Sequence, residues 1–514
     1  MRVRLHGRAV GGWVVEGGVT PPEGVALQAL VAVSGHGPPP AVIELAEWAA
    51  WRWAVPVATL LRTASPPRNV ASLPAPPAAA PRPAVPAPAE LRRLPPDADP
   101  LPAVLEAVSA AGPGSVVVLV PSVGWAERLT ERLRRRGLAV ADGWAEAAAG
   151  WPVVVGSRTA AWCPVPQLGA AVVVDAHDEA YRDRYDAVEV LAERARRAAA
   201  PCLLLSPCPT AVLAARYPVT TVGRAEEAAG WPAVSVVDRR AADPRTGILS
   251  HELARTWARP LVCVLHRTGR ARLLACRACG ELARCERCGR PVEQRDEALS
   301  CRGCASERPV VCAGCGATAM KVLRQGVSQV RDELEALLGE PVGEVAGPGA
   351  TVPGTDVLVG TEAVLHRVRR AAAVVFLDFD QHLLAPRFGA GEEALALLAR
   401  AGRLVGGRGR PASGVVLVQT RLPDHEVLAA AVSGDPGRFD ETALRRELDL
   451  PPFSALAVVR GEAAGEYCRP LGGVDLGDGR WLVRAPDHRA LADALAAAPR
   501  PPGRLRVTVD PTDV

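Results

Sequence analysis

The chain has 514 residues, 49% hydrophobic and 23% charged, a balance that builds buried cores and excludes wholesale disorder. No apolar run approaches the roughly 20 residues of a spanning helix, and residues 1–16 carry no signal-peptide pattern, so a soluble, cytoplasmic chain with no membrane partner is expected. A formal net charge of +4 does not by itself mark a nucleic-acid binder, and Lys321, the only lysine among 60 basic residues, is followed by Val322, so no Walker A motif exists.

Residues 2–8 and 13–16, with a turn at Gly11-Gly12, read as a hairpin. An amphipathic helix is predicted over 41–53, with Ile43, Trp48 and Trp51 among its apolar positions. Trp48, Trp51 and Trp53 stand at helical spacing and read as core rather than as base-stacking platforms, with Trp53 the one open to exposure. Residues 74–88 carry seven prolines, which neither a helix nor a central strand accommodates; 71–100 therefore read as a semi-rigid linker. Beyond it, short valine-rich runs at 115–120, 153–155, 170–174, 202–205 and 234–237 read as parallel strands. They alternate with helices such as 125–136, stopped at Gly137. Runs at 261–265, 357–359, 374–377 and 415–419 repeat the pattern. The fold class is α/β, with two doubly wound units and a small α+β unit after Asp424 that has strands at 480–484 and 505–509. The expected units are 1–70, the linker 71–100, a first lobe 101–238, a second lobe 239–425 with a cysteine insert at 272–320, and a C-terminal unit 426–514.

Five of the thirteen cysteines are isolated (Cys163, Cys202, Cys208, Cys263 and Cys468) and read as small buried apolar residues. The other eight form four C-x-x-C pairs: Cys276/Cys279, Cys285/Cys288, Cys301/Cys304 and Cys312/Cys315. A disulfide scaffold is not expected in an intracellular chain of this size, and paired spacing reads as metal. Gly280, Gly289 and Gly316 each follow a second cysteine, where positive φ turns backbone N–H groups toward the sulfurs. Pairing the first two knuckles leaves a tight span, whereas pairing the inner two leaves a comfortable one. The nested arrangement is therefore preferred: one Zn²⁺ on Cys276, Cys279, Cys312 and Cys315, the other on Cys285, Cys288, Cys301 and Cys304. Four thiolates close the coordination sphere, so the two ions are structural and not catalytic. Seven arginines between Cys263 and Arg290 give this region a basic character that fits a solvated face and a nucleic-acid or protein contact equally.

The four knuckles, followed by Gly326 and a helix at 327–338, resemble the primosomal replication-restart (PriA) family, in which such a region is inserted into the second lobe of a superfamily 2 helicase. The remaining blocks resemble that family in the same order. They are VRLHGRAVGGWVVE with LAEWAAWRWAVPVATLLRTASPPR for the N-terminal domain, VVVLVPSVGWAERL for motif Ia, and VVVGSRTAAWCPVPQLGAAVVVDAHDEAY for the Walker B block. LVCVLHRTGRARLLAC then leads into the knuckles, TDVLVGTEAVLHRV resembles motif V, LDFDQHLLAPRFGAGEEALALLARAGRLVGGR runs into motif VI, and PPFSALAVV opens the C-terminal domain. The resemblance implies two RecA-like lobes and a small β-rich N-terminal domain that binds the 3′ end of a nascent strand, here with Arg2, Arg4 and Arg8 beside its turn. It also implies a cytoplasmic, nucleoid-associated protein. Its partners would be fork and D-loop DNA, primosome and helicase-loading proteins, and single-stranded DNA-binding protein.

The departures are equally specific. Motif I is absent before Ser115, and little room is left for a winged-helix domain. The family's D-E-E-H is here Asp175-Ala176-His177-Asp178, so the acid that would polarise the attacking water is Ala176. Arg403 matches one motif VI arginine, while Arg408 and Arg410 are displaced. Phosphoryl transfer rests on positioning and electrostatics, and here the phosphate cradle and the orienting carboxylate are both missing. No catalytic residue is expected, ATP is not an expected cofactor, and His177 reads as structural. The family's parent activity, ATP-driven 3′→5′ unwinding, and a zinc-ribbon adaptor that does not bind DNA are the competing readings.

Overall fold

In a computed structural model of the chain, the description covers residues 1–5, 7–20, 24, 29–77, 88–242, 247–255, 258–266, 274–295, 298–301, 304, 306–322, 327–345 and 351–512. Most of the proline run and Gly326 lie outside these residues. The architecture is mixed α/β, built on two six-stranded parallel sheets.

The first sheet runs Val153–Gly156, Ser115–Leu119, Leu168–Val174, Cys202–Ser206, Glu90–Arg93 and Val219–Thr221. Side chains alternate across a strand, so the centre of this sheet buries two opposite faces. Val116, Val118, Val172 and Val174 pack beneath the helices Leu101–Ala110 and Val123–Arg135. Val117, Leu119, Ala171 and Val173 join the helices Pro40–Trp53, Val57–Ala64 and Ala187–Arg197 on the other face. Glu90–Arg93 is a correction to the linker expectation: residues 90–93 form a strand within this sheet, paired with Cys202–Ser206 and Val219–Thr221.

The second sheet runs Val342–Val345, Val357–Thr361, Leu261–Leu265, Ala373–Phe376, Val415–Thr420 and Ala233–Asp238. The last strand corrects the lobe boundary. Residues 233–238 pair in parallel with Val415–Thr420 and not with the first block, because the crossover chooses a parallel strand's partner and local pattern does not. The helices Ala390–Val405 and Glu426–Ser433 cover one face of this sheet, and Val327–Leu338 covers the other. Glu426–Ser433 therefore packs with the second lobe rather than with the C-terminal unit.

The C-terminal four-stranded antiparallel sheet runs Val474–Gly477, Arg480–Ala485, Ala455–Arg460 and Arg506–Val509. It shares the core of the first lobe through Ala455, Ala457, Val459 and Val483. At the N-terminus the hairpin pairs Arg2–Leu5 with Arg8–Gly11. Its turn includes Gly7, at φ +78°, and does not lie at Gly11-Gly12; residues 13–16 form no strand. Trp53 is buried, at 3% exposure, edge-on to Trp48 and Tyr185, in line with its reading as core. Trp51 is half-buried and donates from Nε1 to Asp493 at 2.9 Å. No helix among the described residues is long and apolar enough to cross a membrane.

Candidate functional site

The cysteine insert is built from short strands. Leu274–Cys276 pairs with Met320–Val322, and Glu293–Arg295, Ala298–Ser300 and Glu307–Pro309 form a three-stranded sheet. Each of three knuckles closes a tight turn in which the glycine N–H donates to the carbonyl of the first cysteine: Gly280 to Cys276, Gly289 to Cys285 and Gly316 to Cys312. All three glycines lie at positive φ, +77°, +70° and +74°, a conformation that costs a residue without a Cβ little.

These turns bring the sulfurs together in the nested sets, Cys276, Cys279, Cys312 and Cys315 in one cluster and Cys285, Cys288, Cys301 and Cys304 in the other. Within each set all sulfurs lie within 4.8 Å of one another. The cross-knuckle distances are 3.5 Å for Cys276–Cys315 and Cys279–Cys312, 3.4 Å for Cys285–Cys304 and 3.5 Å for Cys288–Cys301. A tetrahedral zinc with bonds of about 2.3 Å separates its thiolates by about 3.8 Å, so both donor sets fit such an ion. Ser306 Oγ lies 3.1 Å from Cys285 Sγ, and that hydrogen bond holds the thiol down to about 6. The amide of Ala278 donates to Cys276 Sγ at 3.4 Å. The five isolated cysteines are all buried, and burial pushes Cys202 and Cys263 up to about 12.

The second candidate region is the interface between the two parallel sheets. The strand Leu168–Val174 ends in a turn with Asp175 at φ +54°, which carries Asp175, His177 and Asp178, all buried. Arg403 donates to Asp175 at 2.6 Å and Arg400 to Asp178 at 2.5 Å, both from the helix Ala390–Val405 of the other lobe. Arg403 also lies over the Trp125 ring, 4.9 Å from its centroid. Burial opposes ionisation of Asp178, but the Arg400 guanidinium prevails and holds the carboxyl down to about 2. Buried His177 is hydrogen-bonded through Nδ1 to Ser206 Oγ at 2.9 Å and is pushed down by desolvation. The gap among Leu94, Pro100, Asp175, Ser206 and Arg403 is about 10 Å³, roughly one water's worth.

Sequence reading singled out Asp175 and Arg403 but not Arg400. The signal for Arg400 is its position one helical turn before Arg403, on the same face. The displaced arginines are also engaged. Arg408 donates to the carbonyls of Ala431, Val432 and Pro232, and Arg410 to Asp97 at 2.6 Å. Lys321 sits in the strand Met320–Val322, opposite Ala275.

At the N-terminus, Arg2, Arg4 and Arg8 are exposed and make no ion pair among the described residues. The hairpin register pairs Arg2 with Gly11, Arg4 with Ala9 and Arg8 with Leu5. Paired residues share a face and neighbours alternate, so Arg2 and Arg4 lie on one face of the ribbon and Arg8 on the other.

No family model matches the chain. It is similar to the replication restart protein PriA of Bacillus subtilis, 26% identical over 413 residues covering 69% of this chain and 50% of the relative. The corresponding protein of Haemophilus influenzae is 25% identical over 403 residues, covering 68% and 54%. That of Treponema pallidum is 29% identical over 347 residues, covering 59% and 51%. The chain spans about half the length of the curated relatives it matches. Among solved structures, S. cerevisiae Dbp5 bound to RNA and ADP BeF3 aligns with TM-score 0.40 at 13% identity, covering 69% of this chain and 84% of that one. The E. coli DExH-box NTPase HrpB aligns with TM-score 0.35 at 15% identity, covering 65% and 39%.

Proposed function

The chain belongs to the PriA family of replication restart proteins, and from that premise we propose that it recognises branched DNA at stalled forks and serves as a platform for primosome assembly without hydrolysing ATP or unwinding. The observation that carries the second half is the pairing of Asp175 with Arg403 at 2.6 Å. On the family reading, Asp175 is the carboxylate that would hold Mg²⁺. Here a guanidinium from the opposite lobe already neutralises it, and the gap beside it holds about one water.

Two further parts of the chemistry are missing from the residues themselves. Ala176 occupies the position of the water-orienting acid, and Lys321 can serve no phosphate cradle. The two parallel-sheet units act as degenerate RecA-like lobes fixed in one arrangement. Each tetra-cysteine cluster holds one Zn²⁺, which closes its loops as a folding element and leaves no position open for substrate. The N-terminal hairpin contacts DNA through Arg2, Arg4 and Arg8. Helicase-loading proteins and single-stranded DNA-binding protein are the partners of the assembled platform.

The test is a gel shift of the full chain on fork DNA with and without ATP, run beside an ATPase assay. Fork binding that ignores ATP, with turnover at the buffer background, is the expected result. Kinases, which share this phosphoryl-transfer chemistry, turn over at roughly 1–100 s⁻¹. DNA-stimulated turnover in that range, abolished by Asp175→Ala, would restore the active 3′→5′ helicase. Absence of fork binding would leave a zinc-ribbon adaptor.

A further inference from the structure

Three side chains outside the cysteine clusters converge at one end of the second sheet. His266 directly follows the strand Leu261–Leu265, Glu362 directly follows Val357–Thr361, and His382 lies on the short helix Asp380–Leu383 after Ala373–Phe376. Those three strands are neighbours and parallel, so their carboxyl ends open at one edge. Loops carrying ligands converge at such an edge in open parallel sheets.

The donor atoms are close. His266 Nδ1 is 3.3 Å from His382 Nδ1 and 3.1 Å from Glu362 Oε1, and His382 Nδ1 is 3.6 Å from Glu362 Oε1. The side chains are 13%, 4% and 18% exposed for His266, His382 and Glu362. Phe379 lies beside the His382 ring, with centroids 5.2 Å apart.

We propose that His266, His382 and Glu362 form a third metal site, a two-histidine, one-carboxylate set for Zn²⁺ with its fourth position open to solvent. The distances support a tetrahedral ion. Bonds of about 2.0–2.1 Å to nitrogen and oxygen place tetrahedral ligands about 3.3–3.4 Å apart, whereas cis ligands of an octahedral or square site would stand about 2.9 Å apart. A point about 2.1 Å from all three atoms lies about 0.8 Å out of their plane, close to the one third of a bond length that a tetrahedral centre requires. Two imidazoles with one carboxylate also suit zinc better than the all-oxygen cations.

A neutral imidazole has one N–H and one acceptor nitrogen. Each ring can therefore present its Nδ1 lone pair to the gap while Nε2 carries the proton. One cation between the three atoms engages every lone pair together.

The site has a structural use. His266 precedes the cysteine insert in the chain, and Leu384, two residues after His382, packs against Ala275 and Leu282 of that insert. A third ion would pin the root of the insert to the second lobe. This inference is independent of the DNA-binding reading.

The experiment is a metal count on the full chain reconstituted with Zn²⁺, with Co²⁺ as a spectroscopic probe. Wild type should hold three ions per chain. His382→Ala and Glu362→Gln should each hold two, with the sulfur-to-cobalt charge-transfer band of the thiolate centres unchanged. Two ions in wild type, or three retained in both variants, would overturn the site. A variant that misfolds also loses the thiolate band; the wild-type count then decides, three supporting the site and two refuting it.

Discussion

Arg403 and Asp175 meet at 2.6 Å across the interface of the two lobes, although 228 positions separate them in the chain. One helical turn earlier, Arg400 meets Asp178 in the same way. Two guanidiniums on one helix face thus grip two carboxylates on one strand-end turn. The Arg400 pair is the more enclosed, with side chains 12% and 1% exposed.

Removing one partner of such a pair strands the other as a buried charge, which costs about 3–5 kcal/mol. Arg400→Ala should therefore destabilise the chain by about 3 kcal/mol in chemical denaturation, and Asp178→Ala by a similar amount. The double variant should lose much less than the sum, because the charges interact and the cycle isolates that coupling. Additive losses would mean that the two lobes are held together by something else.

His366 adds a pH dependence at the same interface. It lies on the helix Val364–Arg367, and desolvation, followed by the Arg400 charge, pushes it down to about 4. An ordinary unfolded histidine titrates near 6.5. As pH falls from about 6.5 to about 4, the unfolded chain takes up a proton that the folded chain refuses, so stability drops through that window and is fully present above it. The loss is at most about 3 kcal/mol, at 1.36 kcal/mol per unit. His177, also pushed down by burial, acts in the same sense. Melting of His366→Gln against pH should show a shallower fall between pH 6.5 and 4; an unchanged profile would assign the acid sensitivity to other groups.

The parts that sequence reveals here are the parts set locally. The knuckles are legible because two cysteines and a glycine within five residues define a turn whatever surrounds it. Ser115–Leu119 is legible because continuous valines between breakers suit a strand buried on both faces. The strand Glu90–Arg93 is not legible: ELRR after a proline run resembles a linker, and only its partners on either side make it a strand. The strand Ala233–Asp238 is recognisable, but its sheet is not, because a crossover decides its partner. The pairing of Asp175 with Arg403, and the convergence of His266, Glu362 and His382, depend on how distant segments stack, and no spacing in the chain records that.

The thiols offer a direct count of the metal-bound set. Eight cysteines lie in the two clusters, and the five isolated ones are buried in cores. Metal affinity depends on deprotonated thiolates, and binding energy is folding energy for so small a module. Chelation of the loaded chain under native conditions should expose eight thiols to a chromogenic disulfide reagent, while the other five react only after denaturation. Cys285→Ser should lose one ion and loosen the strands Glu293–Arg295 and Ala298–Ser300, read as faster hydrogen exchange there, with the parallel sheets unaffected. Thirteen thiols reacting at once on chelation would show that the insert is not an independent module.

The hairpin register makes the DNA-binding role of the three arginines a directional prediction. Arg2 and Arg4 share one face of the ribbon and Arg8 lies on the other, so a single duplex or strand end lying against one face meets either two guanidiniums or one. Neutralising a phosphate releases counterions, and the slope of log affinity against log salt becomes shallower by about 0.7–0.9 for every phosphate that is no longer neutralised. Arg2→Ala/Arg4→Ala together should weaken fork binding and flatten the salt dependence by about 1.5 in slope. Arg8→Ala should change the slope by less than half as much. The three arginines make no ion pair among the described residues, so these substitutions should leave the melting temperature within about a degree of wild type, as surface changes do. If Arg8→Ala proves the more damaging, DNA lies on the opposite face of the ribbon. If neither variant alters the slope, the hairpin is not the DNA-binding element, and the basic insert is the next region to test.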